Sequence, residues 1–151
     1  MFEFFKKLFR QKEENKENKE KNLISILKND HQKLLKIYTN INKAMEKNDF
    51  VEATYELKKF ISEYNKHILL EDTNLYIVLE EKYKNKKQIL KTIEKIEKDM
   101  NSITRAISFF ERKYKTINYE NRDIFMEEFK HIGQVLTERV ELEEERLYPL
   151  L

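Results

Sequence analysis

One glycine and one proline, Gly133 and Pro149, stand in a chain of 151 residues. Both residue types break helices and mark turns. A chain almost without them has little to interrupt a helix, and Lys, Glu, Leu and Ile dominate what remains. An all-α fold follows. The length implies one domain, large enough to bury a core without covalent staples. There is no cysteine, which excludes disulfides, zinc-thiolate sites and a thiol nucleophile and fits a reducing compartment.

The apolar residues recur at helical spacing in four runs. The first helix is expected over about 23–47, with Leu27, His31, Leu34, Tyr38, Ile41 and Met45 in one stripe. Asn48-Asp49 ends it, and Asp49 can cap the next helix. That helix is expected over about 50–84, on the stripe Leu57, Phe60, Tyr64, His67, Glu71, Leu75 and Val78. The third covers about 87–115, with Ile89, Ile93, Ile96, Met100, Ile103, Ile107, Phe110 and Tyr114. The fourth covers about 121–147, with Phe125, Phe129, Ile132, Leu136, Arg139, Glu143 and Leu147, and the stripe extends to Leu150. Short connectors make residues 23–151 an up-down-up-down four-helix bundle. Gly133 falls inside the fourth helix, where Gly costs about 1 kcal/mol relative to Ala. A close helix-helix approach would account for it, as would chance.

Two segments precede the bundle. Residues 1–10, MFEFFKKLFR, form a short basic amphipathic stretch in which Phe2, Phe5 and Phe9 can share a helical face. It reads either as a weak membrane-surface or partner contact or as a frayed terminus, since ten residues make a marginal helix. Residues 11–22 are charged and of low complexity, and are expected to be a flexible linker. The formal net charge of +2 is reached within residues 1–10, where Lys6, Lys7 and Arg10 outweigh Glu3, and residues 11–22 balance. The bundle is therefore neutral, which argues against nucleic-acid binding through phosphates. No apolar run is long enough to span a bilayer, and Lys6 and Lys7 interrupt the only apolar N-terminal stretch, so no signal peptide is read. A cytoplasmic protein is expected.

Polar residues stand where the stripes call for apolar ones. His67 and Glu71 are one helical turn apart and point the same way. His31 sits in the first stripe, Arg139 and Glu143 in the fourth. Imidazole and carboxylate groups on facing helices can grip one iron or manganese ion, which makes His31, His67, Glu71 and Glu143 the candidate ligands. The same groups can instead form a metal-free ion-pair network, with Arg139 bridging Glu71 and Glu143 and fixing the register of the helices. Tyr38 and Tyr64 are candidate donors around the site, and His131 is expected on the surface. There is also an internal repeat: His67-x-x-x-Glu71-x-x-x-Leu75-Tyr76 mirrors Arg139-x-x-x-Glu143-x-x-x-Leu147-Tyr148, and Asp30-His31 parallels Asp99-Met100. No Ser or Thr stands beside a His on one stripe and no glycine-rich phosphate loop exists, so a non-enzymatic protein is expected.

An early His31, the His67-x-x-x-Glu71 pair, and Glu143 followed by Leu147-Tyr148-Pro149 resemble the hemerythrin-like, HHE cation-binding domains over about residues 23–151. The resemblance implies a four-helix bundle with a non-haem, usually di-iron, site that serves oxygen, nitric oxide or iron handling, or sensing. Two departures stand out. Met100 is near the place of a helix-three His, and Arg139 stands where another His is expected. The resemblance then implies a reduced site, mononuclear at most or without metal. The last helix, with Ile132-Gly133-x-x-Leu136-x-x-Arg139-x-x-Leu142-Glu143, is also similar to that of the Rsd/AlgQ anti-sigma regulators. That likeness implies a protein-binding bundle with a sigma factor as partner; the acidic run Glu138 to Arg146 reads as a solvated helix face or, in that case, as the docking surface. On balance the expectation is a cation-binding or sensing domain, with the regulator as the alternative.

Overall fold

The described chain is helical apart from short connectors, and neither Gly133 nor Pro149 marks one of them: Gly133 lies within a helix and Pro149 in a 3-10 turn. The structure, a computed structural model, describes residues 2–151, with side chains from residue 3 onward. The expected place of Phe2 on a shared apolar face lies outside the described side chains.

Helix α1 (Phe2–Glu46) is one continuous helix of 45 residues. It runs through 11–22, where the sequence suggests a flexible linker. Those residues are almost entirely exposed, so packing does not hold them. They are Lys, Glu, Gln and Asn, without a β-branched residue, Gly or Pro. Once the packed part of α1 has formed, extending it needs no new nucleus. Glu17 and Lys21 also stand in the favourable i,i+4 order. Among the described side chains, the first fully buried residue of α1 is Leu27.

Lys47 to Asp49 reverse the chain. Asn48 takes a positive φ of 55°, which Asn tolerates better than most residues. Asp49 caps α2 by accepting from the Glu52 N–H at 3.1 Å, as its position in the sequence suggests. Helix α2 begins as Phe50–Glu71, passes through a π turn at Asp72–Tyr76, and ends as Ile77–Lys82. Helix α3 is Lys87–Lys113. Helix α4 is Arg122–Leu142, continued by a second π turn at Glu143–Leu147 and a single 3-10 turn at Tyr148–Leu150 that contains Pro149. Asn118 and Asn121 brace the last connector by accepting each other's backbone N–H at 2.9 and 3.0 Å.

The four helices bury the stripes read from the sequence, with one systematic shift. A π turn holds one more residue than an α turn, so the apolar register moves by one beyond it. In α2 the inward residue after the turn is Leu79, which is fully buried, while Val78 is exposed. In α4 the extra residue brings Tyr148 inward beside Leu147. Two apolar clusters result. One is built around Ile41, Phe60, Phe110, Phe125 and Phe129. The other is built around Leu27, Leu75, Leu79, Ile93 and Leu147. Gly133 is explained by a side chain rather than a helix backbone. The Tyr38 ring lies over it, and a Cβ there would fall 2.2 Å from the Tyr38 hydroxyl. Among the described residues no helix is long and apolar enough to cross a membrane.

Candidate metal centre

Between the two apolar clusters lies a closed group of polar side chains. His31 comes from α1, His67 and Glu71 from α2, and Arg139, Glu143 and Tyr148 from α4. All but Tyr148 were expected from the sequence, and every one is buried. All but Tyr148, which the π turn brings inward, sit at inward stripe positions, so the amphipathic period that builds the core also aims these groups at one another.

The two histidines meet at their inner nitrogens, with His31 Nε2 3.2 Å from His67 Nε2. Their outer nitrogens face carboxylates. His67 Nδ1 is 3.0 Å from Asp30 Oδ2, and His31 Nδ1 is 3.4 Å from Glu144 Oε2. An ionised carboxylate only accepts, so it fixes the proton on Nδ1 and turns the Nε2 lone pair inward. Two inward lone pairs at 3.2 Å repel unless a proton or a cation lies between them. Glu143 Oε2 stands 3.2 Å from His31 Nε2 and 3.9 Å from His67 Nε2. Glu71 Oε1 is 3.0 Å from His67 Nε2 but off the line of a hydrogen bond, and has no hydrogen-bond partner among the described residues.

The other oxygens are held. Glu143 Oε1 accepts from Arg139 Nε at 3.2 Å. The Arg139 guanidinium also donates to the Ile96 carbonyl and reaches the Tyr76 hydroxyl at 3.5 Å. The bridge from Arg139 to Glu71 and Glu143 together, allowed by the sequence, is not what forms: Arg139 takes Glu143 alone. Glu71 Oε2 accepts from the Tyr148 hydroxyl at 3.3 Å. The single Tyr148 proton is shared with Glu143 Oε2, the shorter contact at 2.9 Å, and the hydroxyl lies 3.2 Å from His31 Nε2. The sequence signal for Tyr148 was the repeat itself. Tyr76 and Tyr148 follow Glu71 and Glu143 by five residues, the spacing a π turn aligns.

Burial and charge set the protonation states. Burial alone would strip His67 of its proton, but its contacts with Glu143, Glu71 and Asp30 outweigh that and push its pKa up to about 10. Burial lifts Glu71 to about 7, against the pull of His67. Glu143 goes the other way. Burial opposes its charge, yet the two histidines hold its carboxyl well below the usual range. Burial, then the charges of Glu143 and Glu71, raise the Tyr148 phenol, so it stays a donor. A buried set of two imidazoles and two carboxylates this dense needs a compensating cation, and in the metal-free protein the proton on His67 supplies one.

The donor set suits a metal ion. One donor atom each from His31, His67 and Glu143 lies within 4.8 Å of the others. Donors bound to one ion at about 2.1 Å are separated by roughly 3.0–3.4 Å, which is the spacing of most pairs here. Glu71 is not within that spacing of all three; its Oε1, which lacks a hydrogen bond, approaches His67 Nε2 alone, at 3.0 Å. On the side of α3 the ring is incomplete. Met100 lines the space, and Asp99, the counterpart of Asp30, is exposed. A cavity of about 700 Å³ leads to the cluster along α1 and α4, walled mainly by apolar residues such as Leu34, Phe60 and Leu136. Tyr38 and Tyr64 line it too, but their hydroxyls go to the Phe129 carbonyl and Thr104 rather than to the cluster. His131 is exposed, as expected.

The family model described as the hemerythrin HHE cation binding domain matches residues 22–151. No curated protein and no solved structure matches the chain.

Proposed function

We propose, for a chain that belongs to the hemerythrin HHE cation-binding family, that it is a non-enzymatic cation-binding and sensing domain with one mononuclear non-haem site. His31, His67, Glu71 and Glu143 would hold the ion, with iron or manganese the metals that suit two imidazoles and two carboxylates. The observation that carries this reading is the meeting of two Nε2 atoms at 3.2 Å, each imidazole anchored through its outer nitrogen on a carboxylate.

Bound there, the metal would supply a Lewis-acidic and redox-capable centre at the floor of the cavity. The chain's own residues do the rest. Asp30 and Glu144 orient the imidazoles. Tyr148 keeps a hydrogen bond on the inner oxygen of Glu143, and Arg139 neutralises the outer one. Arg139 stands where the family resemblance implies a His and Met100 near another such place, and His131 is exposed, so the second half of the repeat brings no imidazole to the cluster. This supports one ion rather than two. The apolar wall of the cavity favours a small, weakly polar ligand over a charged one.

The test is metal content per chain, with an optical spectrum, on protein purified without oxygen and then exposed to air. About one metal per chain is expected, falling to near zero in His67→Ala. Two irons would mean that the ligand set is larger than these four residues. No metal after loading with iron or manganese would refute the reading in favour of a metal-free network, in which Arg139–Glu143 is the central pair and a protein-binding regulator becomes the better description. Glu144 faces His31, so charge reversal at the exposed Glu141 is the cleaner probe of such a regulator.

A further inference from the structure

At its N-terminal end α1 extends far beyond the bundle and carries there an apolar strip left exposed among the described residues. Phe4, Phe5 and Phe9 are each more than 60% exposed, and Leu8 is exposed as well. At 3.6 residues per turn these four fall within roughly 140° of the helix circumference. Lys6, Lys7 and Arg10, with Glu3, fill the opposite side. The division is abrupt along the axis too. Residues 11–22 contain no apolar side chain, and among the described side chains the buried residues of α1 begin at Leu27. The strip is thus a separate amphipathic unit, set off from the bundle by twelve polar helical residues, or about 18 Å at 1.5 Å per residue.

We propose that residues 3–10 are a docking site for an anionic phospholipid surface. Aromatic and aliphatic side chains on one face with lysine and arginine on the other are what an interfacial helix presents to headgroups and acyl chains. The segment also carries the whole formal charge of the protein, since residues 11–22 and the bundle are each neutral. That charge is complementary to an anionic leaflet. It opposes pairing with a second copy, which would bring two sets of three cations together. The strip covers only two helical turns, far short of the three or four heptads of a coiled coil. Binding through one short basic helix is weak and reversible, so the metal domain would be recruited to a surface rather than fixed in it.

The chain has no tryptophan, so Phe9→Trp in the full chain gives a single fluorescent reporter far from the metal cluster. The probes are vesicles of phosphatidylcholine alone and vesicles with about a third phosphatidylserine. The expected result is a blue shift and co-sedimentation with the anionic vesicles only, weakened by high salt. Reversing Lys7 and Arg10 to Glu should weaken binding at least 25-fold, about fivefold for each positive charge removed. Phe4→Ser with Phe5→Ser should abolish it, while the melting temperature of the bundle stays unchanged. No shift with anionic vesicles, or equal binding to neutral ones, would overturn the proposal. So would a blue shift without lipid that grows with protein concentration, which would assign the strip to a second copy.

Discussion

Arg139 separates the physical accounts of the polar cluster most sharply, and replacing it with Met tests them. Met keeps an unbranched apolar stem of similar reach but removes the guanidinium. Glu143 Oε1, now 3.2 Å from Arg139 Nε, would then lose its donor and the carboxylate would keep only the histidines as positive partners, and the Ile96 carbonyl would lose its side-chain donor. Breaking a buried pair by removing one partner costs about 3–5 kcal/mol. At about 0.05–0.15 kcal/mol per residue, a domain of this size has on the order of 8–20 kcal/mol in total, so Arg139→Met should still fold. Its melting temperature should fall by roughly 6–20 °C, at about 2–4 °C per kcal/mol. A cation held by His31, His67 and Glu143 would replace the positive partner that the carboxylate lost, and would no longer be repelled by the guanidinium. Ferrous iron or manganese should therefore raise the melting temperature of Arg139→Met by more than it raises that of the unaltered protein. The assay is thermal unfolding followed by circular dichroism, with chelator and with metal. Equal metal-induced shifts in the two proteins would refute the electrostatic argument. An unchanged melting temperature in chelator would refute the buried ion pair itself.

The π turns predict an asymmetry between neighbours: Leu79→Ala should cost about 2–5 kcal/mol, and Val78→Ala no more than about 0.5 kcal/mol. Urea unfolding that reversed the two would mean an unbroken α period through 72–76. His67 is stabilised in its charged form, so that contribution is full below about 6.5, its ordinary value, and is lost as pH rises toward about 10. The depressed Glu143 contributes above its ordinary carboxylate range and loses that only as pH falls below it. Chelated protein should therefore weaken from pH 6.5 upward. The extra stability given by manganese should grow over the same range, because a ligand imidazole must shed its proton; a flat metal effect between pH 6.5 and 9 would count against His67 as a ligand. Finally, Gly133→Ala should be close to neutral in the unaltered protein, where the new Cβ displaces Tyr38 from the Phe129 carbonyl. It should stabilise a Tyr38→Ala background by about 1 kcal/mol, and a double-mutant cycle showing no coupling would remove Tyr38 as the reason for the glycine.

Most of the cluster was legible because its members stand on apolar stripes. A buried His31, His67, Glu71, Arg139 or Glu143 interrupts a periodic pattern, and each interruption is visible in one dimension. Tyr148 and Tyr76 were not read as part of it, since an aromatic at a helix edge looks like ordinary core. Asp30 and Glu144 were hidden for a related reason. They sit beside the stripe, half-buried, and only the packing of helix against helix turns them toward the outer nitrogens of His67 and His31. Val78 was misplaced because a 3.6-residue period cannot show where a helix widens by one residue.

The sequence by itself determined four amphipathic helices, their order, their turns and the inward direction of five polar side chains. Those properties depend on residue type and spacing along one chain, and hydrophobic burial enforces them. Tertiary structure alone decided which polar atoms meet. It put the two Nε2 atoms face to face, gave Arg139 to Glu143 rather than to Glu71, and left one Glu71 oxygen without a hydrogen bond. Such choices depend on differences of an ångström or less between helices far apart in sequence, and no spacing within a single helix encodes them.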